Sequence, residues 1–203
     1  MTLGAAYASK IKMGEFDKYR GLFAEQGGFD IPENYNVGIA VKATPRTLVA
    51  FDVQRINYGK IPSIENGVLN SISNPAGCPL GLACGSGFSW QNQTVYKLGV
   101  AHRYNQTWTL RAGFNYGKSP IGSTANDISF NIVAPVVAEK HVTLGFTYTT
   151  SSGGELSVSY LHAFSNTVTG PSAITTLLGG ANFGTESLKM HQNAIGIAYG
   201  WKM

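Results

Sequence analysis

The sequence predicts an all-β protein, a transmembrane antiparallel β-barrel with about eight strands in this chain. Three observations support this: apolar residues alternate with small or polar ones, charged residues are scarce, and the connections alternate between short and long. In residues 107–117, every second position holds Trp108, Leu110, Phe114 or Tyr116, with a small alanine among them. Successive side chains of a strand point to opposite faces, so one face is apolar and the other is small and polar.

The composition favours a barrel over other classes of protein. Charged residues make up 13% of the 203 residues, roughly half the ~25% of an average soluble domain. The sequence has no run of about 20 apolar residues, which excludes membrane-spanning helices. A barrel needs apolar residues only at alternate positions. The net charge of +4 comes from scattered residues, so no nucleic-acid partner is predicted. Residues 1–203 are expected to form part of one outer-membrane barrel, without a separate second domain.

The eight predicted strands follow from the same alternation. They are residues 3–12, 34–44, 47–58, 93–104, 107–117 and 141–150, a seventh strand around Leu156, Val158 and Tyr160, and an eighth around Ile195, Ile197 and Tyr199. Their lengths suit a tilted strand that crosses a bilayer, about 9–11 residues. After Val53 the parity changes, because Ile56 and Tyr58 fall on the other face. A bulge in the third strand is one explanation.

The connections between these strands alternate in length. Short turns are expected at Pro45, at Asn105 and over 151–154, and long loops over 13–33, 59–92, 118–140 and 167–186. Bacterial barrels place short turns in the periplasm and long loops outside the cell. All four long loops then fall on the outer side, which predicts the outer membrane of a Gram-negative bacterium as the location.

Aromatic residues lie where lipid headgroups would meet such a barrel. Tyr104, Trp108, Tyr199 and Trp201 lie near the short turns or the chain end, and Tyr58, Trp90, Tyr116, Tyr160 and Phe164 lie nearer the long loops. Two aromatic girdles are typical of membrane barrels. The structural alternative is a soluble β-sandwich, whose strands also alternate. Four loops of about 20 residues are, however, uncommon in compact domains.

Cys78 and Cys84 are the two cysteines of the chain, and they lie in a loop rich in glycine and proline. In an oxidising compartment this spacing favours a disulfide that closes a small loop. Two free thiols are the alternative. A metal site is disfavoured because no histidine lies nearby, and no cofactor is predicted.

The histidines offer no catalytic pattern. His102, His141, His162 and His191 lie on separate strands or strand ends. Ser165 lies near His162, but no orienting third group and no nucleophile motif accompany the pair. The chain is therefore not predicted to be an enzyme.

Six stretches of the sequence resemble the FadL/TodX family of outer-membrane long-chain fatty-acid and hydrocarbon transporters. They are residues 31–39 (IPENYNVGI), 52–58 (DVQRINY), 93–100 (QTVYKLGV), 110–121 (LRAGFNYGKSPI), 134–141 (APVVAEKH) and 162–166 (HAFSN). The resemblance implies a fourteen-stranded barrel for passive uptake of long-chain fatty acids or other hydrophobic compounds. It also implies an N-terminal plug in the lumen, a lateral gap for release into the lipid, and outer-membrane lipid and the barrel-assembly machinery as partners.

The stretches match the C-terminal half of such a transporter, so the chain is expected to be a fragment without the plug. An eight-stranded barrel has a narrow lumen that side chains largely fill, which makes transport by this chain alone doubtful. A non-specific porin or a structural barrel domain is the alternative function. A soluble β-sandwich binding module is a further alternative.

Three inward-facing cations are candidate ligand-binding residues. A fatty acid needs an apolar tunnel for its tail and a cation or donor for its carboxylate. By strand parity these cations are Lys97, Arg103 and Arg111. The alternative is that they face luminal water or pair with inward acids such as Asp52 and Glu155.

The loop over 128–138 supplies the apolar candidates Phe130, Ile132 and Val136. Exposed apolar surface often marks a binding site, so this loop is a candidate patch for capturing the ligand outside the cell. Packing of the same loop over the barrel mouth is an equal alternative.

Overall fold

The computed structural model describes residues 1–179 and 183–201, and these form one eight-stranded antiparallel sheet. The strands are β1 (Thr2–Ala8), β2 (Asn34–Thr44), β3 (Thr47–Ile56), β4 (Gln93–Arg103), β5 (Trp108–Gly117), β6 (Lys140–Thr149), β7 (Glu155–Pro171) and β8 (Thr185–Gly200). Neighbours in the sequence are neighbours in the sheet. The predicted all-β class, strand number and antiparallel order are therefore confirmed.

Within the described residues the sheet is open. β1 pairs with β2 alone and β8 pairs with β7 alone, so each carries one edge without a partner strand. In hydrocarbon, an unpaired strand edge leaves backbone amides and carbonyls unsatisfied. The sheet therefore resembles a section of barrel wall with two free edges.

The register gives the sheet two chemically different faces. A row on one face is Ile39, Phe51, Leu98, Phe114 and Val142. The next row, on the opposite face, is Ala40, Ala50, Gly99, Gly113 and Thr143. We call the apolar face the outer face and the face of small or polar residues the inner wall. The outer-face side chains of Leu98 and Phe114 are 47% and 42% exposed, as expected of residues that contact lipid.

The long connections gather at one end of the sheet and form a compact layer, which we call the loop layer. It contains the short helices α1 (Ala24–Gly27), α2 (Pro62–Glu65), α3 (Leu69–Ser73), α4 (Ala125–Ile128) and α5 (Ala173–Leu177), and 3₁₀ turns at Asp17–Tyr19, Tyr58–Lys60 and Ser129–Ile132. In the described ranges, no helix has the length and apolar character needed to span a bilayer. A hydrophobic core lies in this layer, made of Ile121, Ile128, Val137 and Leu188, with Trp90, Val168 and Met190 packed against them.

β7 and β8 extend beyond the other strands as a two-stranded ribbon that packs on the loop layer. The sequence predicted a long loop over 167–186, and these bounds are too wide, because β7 runs to Pro171 and β8 begins at Thr185. A bulge between Ala163 and Asn166 shifts the register of the pair. Beyond the bulge, Val168 and Leu188 contact the loop core. Apolar contacts with loops thus stabilise the extra strand length.

Two smaller predictions also need correction. The expected bulge in β3 does not occur, because its register runs without a shift from Leu48 to Ile56 against both neighbours. Ile56 therefore lies on the inner-wall side of the strand. Tyr58 and Trp90 do not join a lipid-facing girdle, since their rings pack together in the loop layer with centroids 5.3 Å apart. The first strand ends earlier than expected, at Ala8.

Candidate functional site: the inner wall and the loop layer

The three candidate cations all lie on the inner wall, as strand parity requires. Lys97 Nζ donates to Gln54 Oε1 at 2.7 Å, and Arg111 Nη1 donates to Thr147 Oγ1 at 2.6 Å. Among the described residues, none of the three forms an ion pair with Asp52 or Glu155. Their positive charges are therefore not neutralised by the acids considered as partners.

Arg103 and Arg111 meet two further cations at the short-turn end of the inner wall. A cavity of about 440 Å³ lies between these four residues, Lys42, Arg46, Arg103 and Arg111. The remaining lining residues are apolar or carry hydroxyl groups, and none is acidic. We call this space the cationic cavity. Lys97 does not line it.

A second cavity of about 440 Å³ follows the small residues of the inner wall. Its lining includes Ala50, Gly99, Gly113, Gly145 and Ser159. These residues have no side chain or only a small one, so little of the space in front of the inner wall is filled. We call this space the apolar cavity.

The two cavities share part of their lining. Leu48, Ala101 and Arg111 border both of them. Arg111 therefore lies at the boundary between the apolar cavity and the cationic cavity. A guanidinium offers several donors to a carboxylate, and small apolar residues accept a hydrocarbon chain. The combined site has the chemistry to hold an amphipathic anion.

The predicted apolar loop divides into a packed part and an exposed part. Phe130 lies inside an aromatic cluster, with its ring 5.3 Å from that of Phe23 and 5.6 Å from that of Phe88. Ile132 is 61% exposed and Val136 is 41% exposed. Phe130 of this loop is therefore packed against other loops, whereas Ile132 and Val136 leave apolar surface exposed.

Buried polar contacts hold this loop in place. Asn131 has no exposed surface, and its amide nitrogen donates to the carbonyls of Phe88 and Asp127 at 2.6 and 2.5 Å. Its side-chain oxygen accepts a hydrogen bond from Trp90 Nε1 at 2.7 Å. Thr124 and Asp127 form a capping box at the start of α4. The exposed residues are therefore presented by an ordered support.

The cysteine loop forms part of the same layer. Cys78 and Cys84 are joined by a disulfide, with their Cα atoms 5.6 Å apart. In the part of the chain that the structure describes, no group of three or more His, Cys, Asp or Glu side chains is arranged to hold a metal ion.

Sequence reasoning missed two members of the cationic cavity and most of the aromatic cluster. Lys42 has inner-wall parity on β2, so the alternation alone was a sufficient signal for it. Arg46 lies in a turn, where parity gives no direction. Phe23 and Phe88 are brought together by contacts between distant loops, for which the sequence carries no local signal.

Comparisons with known proteins agree with this architecture. The family model described as outer membrane protein transport protein (OMPP1/FadL/TodX) matches residues 1–202. The solved toluene transporter TodX of Pseudomonas putida is 20% identical, with a TM-score of 0.53. A solved FadL homologue of Pseudomonas aeruginosa is 16% identical, with a TM-score of 0.62. These two likenesses show a shared fold.

The chain is shorter than both of these proteins. The match covers 84% of this chain and 34% of TodX, and 97% of this chain and 47% of the FadL homologue. No protein with a curated description matches this chain significantly. The family match nevertheless extends over almost every residue, and the antiparallel wall with an apolar outer face is the expected architecture. The chain belongs to the OMPP1/FadL/TodX family of outer-membrane transport proteins.

Proposed function

We propose that this chain contributes to passive uptake of amphipathic hydrophobic acids, such as long-chain fatty acids, across the outer membrane. The family transports hydrophobic compounds across that membrane, and the inner wall suggests which compounds this member takes. The observation that carries the proposal is the shared lining of the two cavities, with Arg111 between the apolar and the cationic space. A neutral hydrocarbon would use the apolar cavity and leave four cations without an anionic partner.

Capture would begin at the loop layer. Ile132, Val133 and Val136 expose apolar side chains there, and a contiguous apolar surface of this kind favours binding of hydrophobic molecules. The ordered aromatic cluster beneath them keeps that surface in place. The ligand would then pass to the inner wall and leave laterally into the lipid.

We further propose that strands from outside this chain complete the barrel. The free edges of β1 and β8 cannot face hydrocarbon without unsatisfied backbone groups. Additional strands would also widen the lumen, since barrel diameter grows with strand number. The wider lumen would accommodate a ligand that eight strands cannot enclose.

The test compares two ligands with the same hydrocarbon chain, one with a charged carboxylate and one with a neutral hydroxyl headgroup. Radiolabelled oleate and oleyl alcohol are bound to the protein in outer-membrane vesicles, before and after the paired substitution Arg103→Gln and Arg111→Gln. Hydrogen bonds to charged groups contribute about 1.5–3 kcal/mol each, so oleate binding is expected to weaken about tenfold or more. Oleyl alcohol binding is expected to stay unchanged.

Arg55→Gln is the matched control. Arg55 lies at the loop end of β3 and donates to Thr94 Oγ1 at 2.9 Å, away from both cavities. Its replacement removes one guanidinium and should leave oleate binding intact. Equal affinity of the native protein for oleate and oleyl alcohol would contradict the proposed ligand class. Ion conductance without lipid binding would instead support a non-specific porin.

A further inference from the structure

The outer rim of the wall carries a group of basic residues at the loop ends of its last four strands. Five basic side chains lie at the loop ends of β5 to β8 or just beyond them, and we call them the basic rim: Lys118, Lys140, His162, Lys189 and His191. The three lysines and His191 are exposed. They are separate from the inner wall and from the cavities described above.

The register places the four basic residues that lie within strands on the outer face, beside aromatic residues. Lys140 stands opposite Tyr116, which is 37% exposed on that face. The row Val142, His162 and Asn193 crosses from β6 to β8. Strand residues advance about 3.3 Å each, so Lys140 and His191 lie roughly 7 Å beyond this row, toward the loops.

A polar cluster joins the basic residues at the same level. Tyr160 Oη donates to Asn193 Oδ1 at 2.7 Å, and His162 Nδ1 lies 2.8 Å from the same oxygen. Lipid tails cannot form hydrogen bonds with these polar groups, whereas lipid headgroups can. The aromatic ring of Phe164 packs edge-on against the ring of His162, as expected at a boundary between tails and headgroups.

On the other side of the rim, two lysines are paired with acids. Lys10 pairs with Asp30 at 3.1 Å, and Lys60 pairs with Glu33 at 2.7 Å. In the described residues, no lysine of the basic rim has such a partner. The nearest acid in the sequence, Glu139, accepts a hydrogen bond from the Ser119 backbone amide instead.

The acid near the tip of the ribbon is also turned away from the rim. Glu186 accepts the hydroxyl proton of Ser172 at 2.5 Å, and its second oxygen is buried. The basic rim therefore faces outward with several positive charges and without a protein anion to balance them.

We propose that the basic rim binds the phosphate groups of the glycolipid in the outer leaflet of the membrane, lipopolysaccharide. The long loops mark this end of the wall as the outer side, and the aromatic residues place the rim at headgroup height. Lysines near an anionic lipid surface are attracted to it electrostatically. The Tyr160 and Asn193 cluster offers hydrogen bonds to the sugar hydroxyls beside those phosphates.

The test titrates the native protein with three lipids in neutral detergent and counts bound lipids by native mass spectrometry. The lipids are lipid A with both phosphates, the same lipid A without phosphates, and phosphatidylglycerol. Phosphorylated lipid A is expected to bind about tenfold or more tightly than either of the others, because it alone presents two phosphates on a sugar scaffold. Phosphate-independent binding, or equal binding of phosphatidylglycerol, would overturn the proposal without any variant being made.

Matched triple variants locate the site. K118Q/K140Q/K189Q removes three lysines of the basic rim and is expected to lower the affinity for phosphorylated lipid A about tenfold or more. K10Q/K12Q/K60Q removes three lysines that follow β1 and β3, two of them ion-paired, and should change that affinity less than about twofold. Equal losses in the two variants would show general charge attraction and would overturn the assignment to the basic rim. Heat-modifiable migration on gels confirms that each variant has a folded barrel.

Discussion

Asn131 shows how one side chain can order a segment that lacks regular structure. Its amide and carbonyl groups satisfy Trp90 Nε1 and two backbone carbonyls inside the loop layer. Buried polar groups that lose their partners cost about 1–3 kcal/mol each. The exposed apolar residues that follow Asn131 depend on this support for their position.

Asn131→Ala is therefore expected to destabilise the loop layer by about 2–4 kcal/mol, because it leaves an indole N–H and two carbonyls unpaired. Hydrogen–deuterium exchange over residues 120–137 should increase at least tenfold, while exchange in β2 to β6 should not change. Ile132→Ala, at a position that is 61% exposed, serves as the control and should leave the exchange rates as they are.

The Glu33 and Lys60 pair makes the loop layer sensitive to pH at both extremes. A hydrogen bond from Lys60 lowers the pKa of Glu33 below its ordinary 4.5, helped by a second bond from Asn57. The hydrogen bond to Glu33 raises the pKa of Lys60 above its ordinary 10.5. The contribution of Glu33 to stability is thus present above pH 4.5 and is lost as the pH falls through the lowered pKa. The contribution of Lys60 to stability is present below pH 10.5 and is lost as the pH rises through the raised pKa of Lys60.

Lys60→Gln is expected to raise the pKa of Glu33 toward its ordinary value, because the replacement removes the charged donor. An NMR titration of the Glu33 carboxyl carbon measures this directly. Lys12→Gln removes a nearby lysine that is not bonded to Glu33 and should leave the titration unchanged. An unaltered Glu33 titration in Lys60→Gln would show that the pair does not form in solution.

At the residue scale, the period of two in the strands was enough to place Lys97, Arg103 and Arg111 on the inner wall. The same reasoning would have found Lys42, whose parity is equally clear. It could not place Phe23 or Phe130, because their positions depend on how separate loops pack against each other.

Among the elements of the loop layer, the loop between Cys78 and Cys84 is closed covalently. Within it, the Leu82 amide donates a long backbone hydrogen bond of 3.4 Å to the Pro79 carbonyl. Closing a loop of this length reduces the entropy of the unfolded chain and contributes roughly 2 kcal/mol. The disulfide therefore limits the motion of a segment rich in glycine and proline.

Replacing both cysteines by serine is expected to increase protease cleavage within residues 74–86 several-fold and to leave the strands resistant. Limited proteolysis followed by mass spectrometry gives the cleavage sites. Treatment of the native protein with a reductant should reproduce the pattern, and the double variant should not respond to it. Cleavage at unchanged rates would show that the loop is held by its neighbours instead.

The hairpins were predictable as elements because each is encoded locally, by alternation on both sides of a short turn. The ribbon of β7 and β8 was not predictable, because the sequence of its part beyond the bulge is rich in Ser, Thr and Gly, which is typical of a loop. Its strand conformation depends on Val168 and Leu188 packing against loop residues from elsewhere in the chain. Tertiary contacts thus override weak local preference.

For the molecule as a whole, the membrane location depends on which face of the sheet contacts lipid. Nitroxide labels on the outer face are expected to be several-fold more accessible to oxygen than to a water-soluble nickel complex, and labels on the inner wall are expected to show the reverse. The outer-face sites are Leu110, Leu144 and Ile197, and the matched inner-wall sites are Thr109, Thr143 and Ala198. Nickel accessibility at the outer-face sites would contradict the barrel.

The fold class and strand order of the whole chain could be read from alternation, charge depletion and turn lengths. The open edges of β1 and β8 could not, because closure depends on strands that pair across large sequence distances. The shared lining of the apolar and cationic cavities could not be predicted either, because it depends on the register of β3, β4 and β5.

The small residues of the inner wall differ in how much room surrounds them. A Cβ added at Gly99 would meet no atom within 4 Å, whereas one at Gly113 would lie 2.6 Å from Thr143 Oγ1 and one at Gly145 would lie 2.9 Å from the Val158 carbonyl oxygen. Larger side chains at Gly99 would therefore project into the apolar cavity and leave the outer face unchanged. A series from alanine to valine to phenylalanine at Gly99 is therefore expected to reduce the volume of the apolar cavity step by step.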